Sequence, residues 1–236
     1  MMLEIFDYEF MRRAFIVGMF LAIILPTMGL PILLKRLSMI GDTLAHSSLA
    51  GVAIGLCFGF DPLLASIAAC IVAGLGIELI RNKLKAYQEI STVIILAASI
   101  GLAGVFMSFI NNANSISAYL FGSIVTISDS EFYLVIAVSL FVIVCSYLLY
   151  NTLYLCVFDP KAAPILGINV KFINFMVTFL SAVAISISAK TIGSLIVSSL
   201  LVIPVVSAMQ IARTYKKTLL LSILLSVAFV YTGLFI

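Results

Sequence analysis

The sequence contains eight apolar stretches long enough to cross a bilayer, at approximately 14–34, 38–59, 62–80, 92–110, 132–156, 172–189, 192–212 and 218–236. A membrane helix needs roughly 20 such residues to cross about 30 Å of hydrocarbon. The chain is 64% hydrophobic and only 10% charged. Soluble domains carry about 25% charge, so a soluble fold of this size lacks the polar residues to cover so much apolar surface. The expected fold is therefore an all-α integral membrane protein, a polytopic bundle of about eight transmembrane helices. The connections are short, so 1–236 is read as a single transmembrane domain. The first run starts at Ala14 and is too long for the apolar region of a cleavable signal peptide. A net charge of +3 gives no reason to expect nucleic acid. Cys57, Cys70, Cys145 and Cys156 fall in or beside apolar runs with no CxxC pair, which argues for small buried side chains over disulfides or a thiolate zinc site.

Basic residues collect on the cytoplasmic side of membrane proteins. With the N-terminus outside, ten of the thirteen Lys and Arg fall inside: Lys35, Arg36, Arg81, Lys83, Lys85, Lys161, Lys171, Arg213, Lys216 and Lys217. Only Arg12, Arg13 and Lys190 fall outside, and eight spans bring the C-terminus outside too. Three segments are not simple turns. Residues 1–13, "MMLEIFDYEFMRR", mix charge with large apolar groups and suit an interfacial helix. Within 111–131, "SAYLFGSIVTI" is too short to span and reads as re-entrant or interfacial. In the cytoplasmic stretch 157–171, Asp159-Pro160 is a helix-start signal, "KAAPIL" suits a short helix, and Gly167 suits its end. Composition alone makes this last stretch an ordinary capped loop as readily as a docking element.

Polar chemistry concentrates in the second span. Asp42 and His46, the one histidine of the chain, are four residues apart and share a helix face. Counted as helix from Arg36, His46 lies about 15 Å in, near mid-membrane. Ionisable groups at that depth are costly and mark paths, cavities or partners. A carboxylate oxygen and an imidazole nitrogen one turn apart form half of a divalent-metal site suited to Zn²⁺ or Mn²⁺. The plainer alternative is that Asp42 caps the helix and His46 bonds only to it. Gly51, Gly55 and Gly59 repeat every four residues on an offset face, which suits close packing of a neighbour. In the seventh span Pro204 frees the carbonyl of Leu200, for a packing kink or a hinge. Lys190, just before that span, either snorkels or pairs with an external acid such as Asp129 or Glu131. No P-loop, HExxH or GxSxG occurs, and no arginine-rich span, so ATP hydrolysis by this chain, intramembrane hydrolysis and voltage sensing lack their residues. No internal repeat of the kind found in many secondary transporters is visible.

Taken in order, these segments resemble a family. Lys35-Arg36 followed by Gly41, Asp42 and His46 is similar to the basic pair and Gly-Asp-x-x-x-His signature of the permeases of zinc/manganese/iron-type metal ABC importers. "YLFGSIVTIS", "VFDPKAAPILGINV" and "IGSLIVSSLLVIPVVSAMQIAR" resemble that family's external segment, ATPase-docking loop and later helix. The matches cover nearly the whole chain. It departs at Ala50, where the family often has proline, and at Lys190, commonly arginine. The family also runs past the equivalent of Ile236, so the sequence is read as a short member or a truncated one.

The resemblance implies an ABC importer permease of the type II kind in a bacterial cytoplasmic membrane, with Zn²⁺, Mn²⁺ or Fe²⁺ as cargo and zinc preferred. No cofactor is expected on this chain. Implied partners are a second permease, separate ATP-binding subunits and an external metal-binding protein. Asp42 and His46 are implied to contact the metal. Asp159, Pro160, Ala163, Leu166 and Gly167 are implied to couple to the ATPase, and Lys190 and Pro204 are candidates for the gate. The two rivals are a secondary carrier using Asp42/His46 as a proton relay, and an intramembrane metalloenzyme, which would need further ligands and a mid-span glutamate.

Overall fold

Short polar and glycine-containing joints decide where the helices stop. The computed structural model describes residues 9–83, 88–110, 122 and 129–235. In chain order the helices are α1 (Glu9–Leu34), α2 (Ile40–Phe58), α3 (Pro62–Lys83), α4 (Gln88–Met107), α5 (Asp129–Leu148), α6 (Tyr150–Phe158), α7 (Ala162–Ile165), α8 (Val170–Ile192), α9 (Ser194–Ile211) and α10 (Tyr215–Phe235). Among the described residues eight helices are long and apolar enough to cross a membrane, which matches the eight expected spans. Gly59 ends α2 in the left-handed conformation, and the Leu63 N–H donates to Asp61 Oδ1 at 2.8 Å just before Pro62 opens α3. This is N-capping with proline in the first turn.

α1, α2 and α8 are the inner helices, with 67–72% of their most apolar stretch buried. Leu21, Leu25, Met28, Leu44 and Ile185 meet in the core. In lipid there is little hydrophobic drive between helices, so close backbone approach and side-chain hydrogen bonds do the joining. Both are present. A Cβ on Gly51 would stand 2.6 Å from the Ala65 carbonyl oxygen, and one on Gly55 2.9 Å from the Ala65 methyl, so α2 and α3 touch through this stripe. Gly59 takes no part in it and serves as the helix end. Ser66 and Ser186 hydroxyls join α3 to α8 at 2.8 Å, and the Cys70 thiol donates to the Leu44 carbonyl at 3.2 Å. Cys70 and Cys156 are buried as expected, whereas Cys57 is exposed on the bundle. Gly51→Leu is expected to destabilise the protein by about 1–3 kcal/mol or more, because the obstacle is backbone rather than a mobile side chain. Thermal unfolding in detergent measures this, and a wild-type midpoint would rule the close contact out.

Two expectations meet a different structure, and a third lies mostly outside the described residues. Residues 9–13 are the opening turns of α1, continuous with the first span, and 1–8 of the expected interfacial segment lie outside the described residues. Most of the expected re-entrant segment, 111–121 and 123–128, also lies outside them. The fifth span, expected as one piece over 132–156, divides at Leu149. That turn lets α6 lay Tyr150 and Tyr154 against Tyr215 of α10, with ring centroids 5.4 and 5.7 Å apart.

Candidate functional site

α2 begins at Ile40, because the chain between α1 and α2 is a turn. His46 is therefore six residues into the helix, about 9 Å from its start rather than the roughly 15 Å counted from Arg36. Met39 is the N-cap residue, and no side chain caps this end. Asp42 stands three positions later, inside the first turn, where its charge faces the positive end of the helix dipole. The capping explanation of Asp42 thus fails. Both side chains are half-buried. Among the described residues neither Asp42 nor His46 has a hydrogen-bonding or ionic partner. No group of three or more His, Cys, Asp and Glu comes together among the described residues either.

The rotation of α2 is held by neighbours that the sequence did not single out. The Thr43 hydroxyl donates to the Thr92 carbonyl of α4 at 3.2 Å, and Ser47 and Ser99 hydroxyls meet at 2.7 Å. These contacts sit on the face adjoining Asp42 and His46, so they fix where the pair points. α9 passes the first turn of α2: a Cβ on Gly41 would lie 3.6 Å from the Leu201 side chain and 3.8 Å from the Ser198 backbone. Pro204, one turn further along α9, is buried within the helix.

At the end of the bundle where α1 starts, Lys190 forms an ion pair with Glu131, while Asp129, the other acid considered for it, pairs with Arg13. The Arg13 guanidinium also lies 5.9 Å from the Phe132 ring centroid. These contacts tie α1, α5 and α8 together.

The opposite end carries the loop 157–171. The Ala162 N–H donates to Asp159 Oδ1 at 2.9 Å, which starts α7 as the Asp-Pro signal predicts. Gly167, at φ +78°, ends it: its N–H donates to the Pro164 carbonyl at 3.1 Å and the Ile168 N–H to Ala163 at 3.0 Å. This paired arrangement needs a left-handed residue, hence glycine. Ala163 is fully buried under the loop, whereas Ile165 and Leu166 are 85% and 67% exposed. The expected short helix is present, and it holds two large apolar side chains out from the bundle.

The same end holds a polar cluster that sequence reasoning missed. Glu78 and Arg81 of α3 form a buried ion pair, and the Asn82 amide donates to Glu78 at 3.3 Å. Lys35, beyond the end of α1, donates to Asn174 Oδ1 of α8 at 2.6 Å. Burial, followed by the nearby Arg81 charge, lowers the Lys35 pKa to about 8. The sequence signal was a charge triplet at a helix end, which looks identical whether it is solvated or buried.

The model of the ABC 3 transport family matches residues 7–236. The chain belongs to that family. Its curated relatives include a "Probable metal transport system membrane protein" of Treponema pallidum (strain Nichols), 33% identical over 97% of this chain and 86% of the relative. The zinc uptake membrane protein ZnuB of Haemophilus influenzae is 29% identical, over 96% of this chain and 87% of its own. The manganese transport membrane protein MntC of Listeria monocytogenes is 26% identical, over 92% and 77%. The solved structure "PsaBC from Streptococcus pneumoniae in complex with Fab" superposes on the whole of this ABC 3 family chain, and on 86% of its own, with a TM-score of 0.86 and 21% identity. The polytopic permease fold expected from the sequence is the fold observed.

Proposed function

We propose that this permease is the membrane subunit of an ABC importer for a divalent transition metal, with Asp42 and His46 as the residues that touch the metal in transit. The observation that carries this is the half-open pair in the first turns of α2, which has no partner of its own among the described residues. A partnerless carboxylate and imidazole, held in fixed rotation, suit a passing ion better than a structural role. The names of the zinc and manganese relatives support the choice of cargo. Two permeases about a two-fold axis would offer two such pairs, which meets the ligand shortfall of a single copy. ATP is hydrolysed by separate subunits docked on residues 157–171, and the metal arrives on an external binding protein. Both termini lie outside in this reading, which places the Lys190–Glu131 pair at the outer face. Lys190 and Pro204 are assigned to gating there and along α9. Membership of an ABC family argues against a secondary carrier, which would need no ATPase.

Zinc is the proposed cargo. The test is ATP hydrolysis by the reconstituted permease, ATPase and binding protein with Zn²⁺, Mn²⁺ or Fe²⁺ supplied in turn. Zinc is expected to stimulate most. Stronger stimulation by manganese or iron would change the cargo, and stimulation by none would overturn the importer reading.

A further inference from the structure

We propose that Lys35 and Asn174 form the link that carries movement of the ATPase-docking loop to the helix bearing Asp42 and His46. The inference rests on the reading of residues 157–171 as that loop. It begins from stiffness. α7 is locked to the chain that follows by the Gly167 and Ile168 hydrogen bonds. Two residues after Gly167, Asn169 caps α8, accepting from the Phe172 N–H at 3.2 Å. Asn174 stands in the second turn of α8, so it moves with α7.

The receiving side is equally stiff. Lys35 sits in a reversal closed by the Arg36 N–H on the Leu33 carbonyl at 2.9 Å and the Leu37 N–H on Ile32 at 3.0 Å. Arg36 takes φ +58°, a left-handed position usually given to glycine, and Leu37 is buried. The Ile40 N–H then donates to the Leu37 carbonyl at 3.1 Å, and α2 begins. Asp42 follows two residues later. Along this route, among the described residues, the hydrogen bond that joins the two stiff segments is the 2.6 Å bond from Lys35 Nζ to Asn174 Oδ1, beside direct packing of α8 on α1 and α2.

Lys35 is a poor choice for stability alone. It is half-buried, crowded by Arg81 with Glu78 also near, and held by one neutral oxygen. Withdrawing a charge from water costs free energy, and apolar side chains commonly replace buried ionic groups at no loss. A directional bond is useful where displacement must be transmitted, since it resists sliding as apolar contacts do not. The nearby Glu78–Arg81 pair holds α3 beside the junction without bonding to Lys35.

The test uses the full complex in proteoliposomes: permease, ATP-binding subunits and metal-loaded binding protein. Two quantities are read, ATP hydrolysis and metal moved per ATP. Asn174→Leu is expected to retain hydrolysis while metal moved per ATP falls at least about fivefold, the low end of ordinary coupling between sites. Asn174→Asp keeps the acceptor and should restore the ratio. Lys35→Met should match Asn174→Leu, and the double variant should be no worse than either, because both remove one bond. If Asn174→Leu does not assemble, Asn174→Ser supplies the same comparison. A wild-type ratio in Asn174→Leu, failure of Asn174→Asp to rescue, or additive losses in the double variant would each overturn the link. Ile165→Asp, run alongside, separates the two readings. If it uncouples the complex while Asn174→Leu does not, the link fails and the docking loop stands. If it leaves assembly and hydrolysis at wild-type levels, the docking loop fails and the link falls with it.

Discussion

Ile165→Asp is expected to abolish ATP-driven uptake while the permease stays folded. Ile165 is 85% exposed and the neighbouring Leu166 is 67% exposed, so neither contributes much to the bundle. Their apolar surface matters only when another protein covers it. A charge at the centre of such a contact leaves an unpaired carboxylate against the ATPase, which interfaces tolerate badly. Gly167→Val acts on the same element by a different route. A β-branched residue at φ +78° costs about 1–3 kcal/mol, and the two hydrogen bonds ending α7 are lost or distorted. This variant should assemble but couple badly. Co-purification of the ATP-binding subunit reads the first effect, and uptake per ATP hydrolysed reads the second. Wild-type values for both variants would remove the loop from the mechanism.

His46→Gln is expected to lower uptake at least tenfold. Glutamine has similar reach and hydrogen-bonding ability but is a poor ligand for zinc or manganese, which take imidazole nitrogen readily. His46 is half-buried and has no hydrogen-bonding or ionic partner among the described residues, so the substitution breaks no such bond there. Folding and surface expression should stay normal. Uptake equal to that of the unaltered permease would take His46 out of the path of the metal.

The spans were legible because membrane helices are written in long apolar runs, and the run boundaries agree with the helices to within a few residues at most ends. The exceptions are informative. Pro26 and Pro31 lie inside α1 without ending it, since neighbouring helices bury that part of the chain. Leu149 divides the fifth span with no proline or glycine to announce it, and the turn there sets Tyr150 against Tyr215 of a helix over sixty residues away. The shared face of Asp42 and His46 was readable from their spacing, and the short helix Ala162–Ile165 from its Asp-Pro and glycine signals. The start of α2 was placed too early because a left-handed arginine stands in the turn after α1, and arginine does not advertise that conformation. The Lys35–Asn174 bond spans 139 positions, and no local pattern predicts a contact at that separation.

In the proposed mechanism Asp42 supplies a charge to the metal rather than an end to the helix. Met39 already occupies the cap position, so Asp42→Asn removes charge while conserving size and local structure. The loss of the favourable helix-dipole interaction costs at most about 2 kcal/mol at a half-buried position. The decisive measurement is the initial rate of zinc or manganese uptake by cells carrying Asp42→Asn, with surface expression verified to equal that of the unaltered permease. A fall of tenfold or more is the predicted result. A rate equal to that of the unaltered protein would show the charge to be dispensable and would contradict the assignment of Asp42 and His46 to the path of the metal.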